Sequence, residues 1–222
     1  MSFSTQTPLS VTIWINATWN PGARRSFVGI YGGATDTPLI APTTGVQIGT
    51  GNGAGDLMFW TWGGASLCTT AANVMTTYNG KWIMVTYTYD GTTHRGYVNG
   101  AQVCTGTSVP LVGYLNQVFI NGYPTGGVSE ISAFQLDQYG LYNRALLADE
   151  VLTMYNAYGY RHGVTNSLVC RYEFDEYGEG TTTSTLPDLS GNGHTLTNIG
   201  AGTPVSYTYL NTFASSNIRP VQ

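Results

Sequence analysis

The stretch from residue 80 to residue 100, GKWIMVTYTYDGTTHRGYVNG, decides the fold. Trp82, Met84, Thr86 and Thr88 alternate with Ile83, Val85, Tyr87 and Tyr89, the period-two pattern of a strand with two different faces. Asp90-Gly91 then turns the chain. Tyr97-Val98 and Ala101–Val103 flank Asn99-Gly100, a dipeptide that accepts the positive φ angles of a two-residue hairpin turn.

The same grammar extends in both directions. Ser10–Asn16 alternates, Phe27–Tyr31 is a short apolar run ending at Gly32-Gly33, and Leu57–Trp62 is β-prone until Gly63-Gly64 stops it. Leu115–Ile120 closes at Asn121-Gly122. Leu168, Cys170, Tyr172 and Phe174 alternate with Val169, Arg171 and Glu173, and Val205, Tyr207 and Tyr209 with Ser206 and Thr208. Short strands at regular spacing predict an all-β sandwich or barrel. One helix interrupts them, over about 143–161. Asn143 is its candidate N-cap, Leu147, Val151, Met154, Tyr155 and Tyr158 form one apolar stripe, and Gly163 is the stop. Gly49–Gly55 is a loose glycine-rich loop, and with no linker in sight the chain 1–222 reads as a single domain.

Of the 222 residues, 42% are apolar, enough for a substantial core, while only 9% are charged, against about 25% in ordinary soluble domains. Lys81 is the sole lysine, and glycine (29) and tyrosine (16) are abundant, so the surface is neutral and polar. A net charge of −4 without a basic cluster argues against nucleic acid as a partner. No run approaches the roughly 18 apolar residues of a membrane helix. No basic-then-apolar leader follows Met1, which predicts a chain made in a cytoplasm and not exported by that route. The sequon Asn16-Ala17-Thr18 is then silent. Cys68, Cys104 and Cys170 are widely spaced and odd in number, and read as buried free thiols, with a Cys68–Cys104 bridge as the alternative.

Four segments together resemble one family. Leu9–Asn16 (LSVTIWIN) is similar to the opening strand of laminin-G-like jelly rolls, and Gly80–Gly100 resembles that family's W-x-x-V-x-x-T-Y-D-G…Y-V-N-G hairpin. Leu136–Val151 (LDQYGLYNRALLADEV) is similar to its strand-to-helix segment. Leu168–Glu176 (LVCRYEFDE) with Asp188–His194 (DLSGNGH) resembles its Y-x-F-D-E…D-x-S-G-N-G-N segment. The resemblance implies a two-sheet antiparallel jelly-roll sandwich of the laminin-G/concanavalin-A-like type, with the helix as a short cap. The last segment normally opens such a domain, whereas here it closes it. The C-terminal strands, 168–210, therefore complete the sandwich either in cis or in a neighbouring subunit.

Chemistry is sparse. Related glucanases carry E-x-D-x-x-E on one strand, which lets two carboxylates flank a glycosidic bond. Glu130-Ile131-Ser132 lacks the aspartate, and Asp175 and Glu176, being adjacent, would point to opposite faces of a strand. G-x-S-x-G, H-E-x-x-H and Walker patterns do not occur, and His94, His162 and His194 read as turn or surface residues. These features predict that the protein is not an enzyme.

Two candidate sites stand out. The loop Asp188-x-Ser190-Gly191-Asn192 offers a carboxylate, an amide and backbone carbonyls, the oxygen ligands calcium takes. The family resemblance adds Asp137 as a further calcium ligand, although the family's following glutamate is Gln138 here. The competing reading is a hydrogen-bonded Asx turn. Trp60, Trp62, Tyr31, Tyr78 and Tyr123 lie in or near Gly- and Asn-rich segments and are candidates for glycan contact, against the alternative that Trp60 and Trp62 are core, as Trp82 is expected to be.

The expectation from these features is a non-enzymatic structural protein on a virion surface, decorating a phage capsid or associated with its tail or fibre. Its partners would be other virion proteins, further copies of itself and surface glycans. The alternative is a stand-alone carbohydrate-binding module or lectin.

Overall fold

The computed structural model describes residues 3–4, 7–18, 24–33, 44–51, 55–61, 64–70, 73–107, 114–120, 123–124, 128–129, 134–157, 164–174 and 185–197. Its elements in chain order are β1 (Phe3–Ser4), β2 (Leu9–Ala17), β3 (Arg25–Gly33), β4 (Thr44–Thr50), β5 (Leu57–Thr61), β6 (Ser66–Thr69), α1 (Val74–Thr77), β7 (Trp82–Tyr89), β8 (His94–Val98) and β9 (Ala101–Gly106). There follow β10 (Tyr114–Ile120), β11 (Tyr123–Pro124), β12 (Val128–Ser129), β13 (Phe134–Tyr142), α2 (Ala148–Asn156), β14 (Leu168–Tyr172), β15 (Thr185–Leu186) and β16 (Leu196–Thr197). One six-stranded sheet runs β1-β10-β3-β4-β5-β6 and the other β14-β13-β2-β7-β8-β9. Their strand pairs are antiparallel, as in a jelly-roll sandwich.

The alternation read from the sequence becomes two layers of packing. Leu9, Val11, Ile13 and Ile15 of β2 and Ile83, Val85, Tyr87 and Tyr89 of β7 face the other sheet, where they meet Val28, Ile30, Val46, Ile48, Leu57 and Phe59. The opposite faces of the same two strands carry Trp14 and Met84, which pack beneath α2 against Tyr97, Tyr142, Leu146, Val151 and Met154. The β2–β7 pair is thus covered on both sides, and even Thr12, Thr86 and Thr88 on its outer face are at most 1% exposed.

The cap is shorter than the predicted 143–161 and begins later. Asn143 donates its N–H to the Ser167 carbonyl, the Ser10 hydroxyl donates to the Arg144 carbonyl, and Leu146 N–H donates to Ser10 Oγ. These bonds hold 143–147 against β2 and keep it out of the helix. Leu147 takes the N-cap position, its N–H donating to the Glu150 carboxylate, which Arg144 grips with two further hydrogen bonds. Residues 158–163 lie outside the described part, as do the expected strand at 205–209 and Trp62. A second helix, the single turn α1, was not apparent in the sequence.

Two further expectations are corrected. Cys68 and Cys104 form a disulfide with Cα atoms 5.6 Å apart, and Cys170 is the buried free thiol. Their strands, β6 and β9, are the edges of opposite sheets and lie side by side, so the bond staples the sandwich along that edge. A Cβ at Gly96 would come 2.8 Å from Cys104 Sγ and also collide with the Phe59 ring, so the packing there requires a glycine. His94, expected at the surface, is fully buried. Its Nδ1 is 2.7 Å from the Tyr87 hydroxyl, and its ring stacks on Tyr89 at 4.5 Å, because the first residue of β8 points inward.

A crosslink spanning 36 residues removes about 4 kcal/mol of unfolded-state entropy. Guanidinium unfolding of a Cys68→Ser/Cys104→Ser variant is expected to show a lower midpoint and a stability loss of that order. A midpoint equal to that of the oxidised protein would mean that the bond does not constrain the sandwich.

Candidate functional site

The Asp188 loop is organised entirely by protein donors. Asp188 Oδ1 accepts the N–H groups of Arg171 at 3.0 Å and Ser190 at 2.8 Å. Its Oδ2 accepts the Ser190 hydroxyl at 2.8 Å and the His194 N–H at 3.0 Å. A carboxylate has about four lone-pair directions, and here all four are used. Asn192 turns its amide nitrogen to the carbonyls of Leu168 and Val169, both at 3.0 Å. Leu189 N–H donates to the Arg171 carbonyl, and the Tyr172 hydroxyl to that of His194. The loop therefore laces itself to β14 and holds that strand against β13.

Asp137 lies half-buried on β13, opposite Trp14 of β2. Among the described residues no three acidic, histidine or cysteine side chains form a metal-sized group. The calcium set of Asp188, Asn192 and Asp137 does not fit a metal as folded, because binding would have to displace four hydrogen bonds from Asp188. Burial alone would raise the Asp188 carboxyl, but the donors from Arg171, Ser190 and His194 outweigh it and hold the group below the usual carboxylate range.

The aromatic candidates separate. Tyr31 and Trp60 are 0% and 1% exposed. They lie on the outer face of their sheet over backbone that only glycine permits: a Cβ at Gly45 would come 2.5 Å from Tyr31 Cδ1, and one at Gly49 2.9 Å from Trp60 Cη2. Arg24 lies over the Trp60 ring, 5.3 Å from its centroid. Rings closed to solvent cannot stack on a sugar, so neither is a glycan contact as folded. Trp62 lies outside the described residues, and of Tyr123 only the backbone pairing in β11 with Ser129 is described. Tyr78 closes α1 and is half-buried.

Sequence reasoning missed two rings. Trp82, expected in the core, is half-buried on the outer face of β7, beside Asn16 of β2. Tyr155, expected only as part of the helix stripe, is half-buried and stacks on Trp14 at 5.7 Å. The register was the available signal for Trp82. It shares a face with Met84, Thr86 and Thr88, and that face was opposite the one carrying Ile83, Val85 and Tyr87.

Three of the described acids pair with arginines, whereas the buried Oδ1 of Asp56 has no hydrogen-bond partner. Asp90 bonds Arg95 at 2.7 Å, Glu150 bonds Arg144 at 2.5 Å, and Glu173 lies 3.1 Å from the Arg171 guanidinium. Burial pushes Asp90 up, but hydrogen bonds from Arg95, Thr93 and Thr92 prevail and leave it well below the usual range.

This sandwich, with its capping helix and W-to-NG hairpin, is matched over residues 2–152 by the family model described as the concanavalin A-like lectin/glucanases superfamily. The chain belongs to that superfamily. The match ends within α2, so β14 and the Asp188 loop lie beyond it.

Among solved structures, the chain is similar to a candidate carbohydrate binding protein from Bacteroides ovatus, with a TM-score of 0.59 and 14% identity, over 86% of this chain and 52% of that one. It is also similar to the binding domain of Paraclostridial Mosquitocidal Protein 1, with a TM-score of 0.51 and 20% identity, over 71% of this chain and 38% of that one. At these identities the likeness shows a shared fold, and this chain spans about half of the first structure and less of the second. A comparison with curated protein sequences finds no match.

Because the folded value of Asp188 is depressed, the stability it contributes is complete above its unfolded value of about 3.9 and is lost as pH falls below that towards the folded value. Asp188→Asn is expected to cost about 1–3 kcal/mol at pH 7, and its calorimetric stability curve should converge on the wild type at low pH. Millimolar calcium should leave the wild-type melting temperature unmoved. A rise with calcium would show that the metal displaces those donors.

Proposed function

We propose that this protein is a non-catalytic, lectin-like glycan-binding domain that works outside the reducing cytoplasm. The observation that carries the reading is the engagement of Asp90, Glu150, Glu173 and Asp188 by local partners. In a lectin/glucanase fold, hydrolysis needs an acid and a second carboxylate facing one bond. Here Asp90, Glu150 and Glu173 pair with arginines and Asp188 holds a turn. What the chain offers instead is a composition low in charge, with 9% charged residues, suited to ligands that carry hydroxyls and no charge.

The carbohydrate-binding description of the Bacteroides relative supports this reading. The stapled sheet edge supports the location, since disulfides persist in oxidising surroundings. A virion surface component, decorating a phage capsid or tail, is the second reading. It is favoured by one observation: β14 is an edge strand, contributed from beyond the matched residues and laced to its own loop. Such a unit could be exchanged between copies.

The disulfide-intact protein, printed against a glycan array, assayed for turnover of β-glucans and sized in solution, tests both. Selective micromolar-to-millimolar glycan binding without turnover is the expected result. Turnover abolished by one carboxylate substitution would overturn it. Silence on the array from a stable oligomer would move the assignment to the virion assembly role.

A further inference from the structure

Two half-buried rings from different elements, Trp82 and Tyr155, pack on the helix-side cluster around Trp14. Trp82 opens β7 and lies beside Asn16, on the face that carries Trp14 and Met84. Tyr155, in the last turn of α2, lies on Trp14 with the two planes 19° apart. Tyr78 closes α1 and is half-buried against the core between the sheets.

The backbone holds the α1 turn beside Trp82. Gly80 N–H donates to the Ala17 carbonyl at the end of β2, and Lys81 N–H donates to the Tyr78 carbonyl. These bonds tie the α1 turn to the mouth of the β2–β7 pair. Trp14 beneath is 2% exposed, so the floor is solid and the rings above it are the reachable part.

A separate observation marks the same side. Leu152, one of two large apolar side chains that stand exposed among the described residues, lies on α2 one turn before Tyr155. The α2 backbone approaches the hairpin turn so closely here that a Cβ at Gly100 would come 2.9 Å from Leu152 Cδ1 and 3.3 Å from Tyr155 Cβ. Leu152 thus adds one exposed apolar side chain beside Tyr155.

The polar groups around these rings choose the ligand. Asn16 is half-buried, Asn79 and Asn156 are exposed, and the Tyr155 phenol donates as well as accepts. Among the residues just named there is no charge, and the nearest cation, Lys81, directs its Nζ to the Thr77 carbonyl. A peptide or lipid surface would ask for a larger apolar area or more charge. A neutral sugar asks for flat rings against its C–H face and amides or hydroxyls at its rim.

We infer that Trp82 and Tyr155 form a binding platform for a neutral oligosaccharide on the helix-covered side of the sandwich, away from the buried Tyr31 and Trp60. The inference rests on the glycan-binding reading above and assigns its place. Tyr155, stacked on Trp14, and Trp82 supply the stacking faces, and Asn16 and Asn79 receive the sugar hydroxyls. None of these groups is placed to cleave a bond.

The test prints neutral gluco-, galacto-, manno- and arabino-oligosaccharides and compares wild type with Trp82→Ala, Tyr155→Ala, Trp62→Ala and Tyr123→Ala. Loss of an anchoring ring is expected to weaken binding about tenfold or more for the first two, with Trp62→Ala and Tyr123→Ala near wild type. Tyr155→Phe, which keeps the stack on Trp14 and removes only the hydroxyl, guards against a folding artefact. It should keep the wild-type melting temperature and lose binding a few-fold. If wild type binds and the Trp82 and Tyr155 variants bind equally well, this platform is wrong while the glycan-binding reading stands. If wild type binds none of the four classes, both fall.

Discussion

The structure depends on covering both faces of the β2–β7 pair at once. A strand in a two-layer sandwich ordinarily buries one face and wets the other. Here the inner face is aliphatic and aromatic, and the outer face, with Ser10, Thr12, Thr86 and Thr88, is polar in composition yet buried. Burial of that outer face requires the segment 143–147 and α2 to lie on it. Ser10 supplies the anchor, donating to one carbonyl and accepting one N–H from the incoming chain. The position of the helix follows from that anchor, and the stack of Tyr155 on Trp14 follows from the helix.

This constraint explains what could be read in the sequence and what could not. The hairpin from Trp82 to Gly100, the opening strand and the segment Leu136–Val151 were legible because period-two alternation and Asn-Gly turns are local signals. The helix start was not. Asn143 is a good N-cap by type, but a long-range bond to Ser10 draws its neighbours into extended backbone. The burial of Tyr31 and Trp60 was equally hidden, because it depends on Gly29 in Tyr31's own strand and on Gly45 and Gly49 in β4, which leave room for the rings. The cysteines were ambiguous because spacing in sequence says nothing about two edges of opposite sheets meeting.

At the candidate sites, residue type was legible and geometry was not. Asp188-x-Ser190-Gly191-Asn192 reads equally well as a calcium loop or an Asx turn, and only the direction of each donor separates them. Four donors converge on the carboxylate, so the loop serves as a clasp for β14. Trp82 was misassigned to the core although the strand pattern already put it on the outer face. Taken with the lectin/glucanase family, these placements describe a sandwich in which Asp90, Glu150, Glu173 and Asp188 hold local structure.

Hydrogen exchange across the folded chain tests the central claim most directly. If the β2–β7 pair is covered on both faces, the amides of Val11–Ile15 and Ile83–Tyr87 exchange only through global unfolding and are the slowest in the protein. If α2 did not cover the outer face, those amides would exchange as fast as those of the exposed edge strand β9, and the account of how the helix and its aromatic end are positioned would be contradicted.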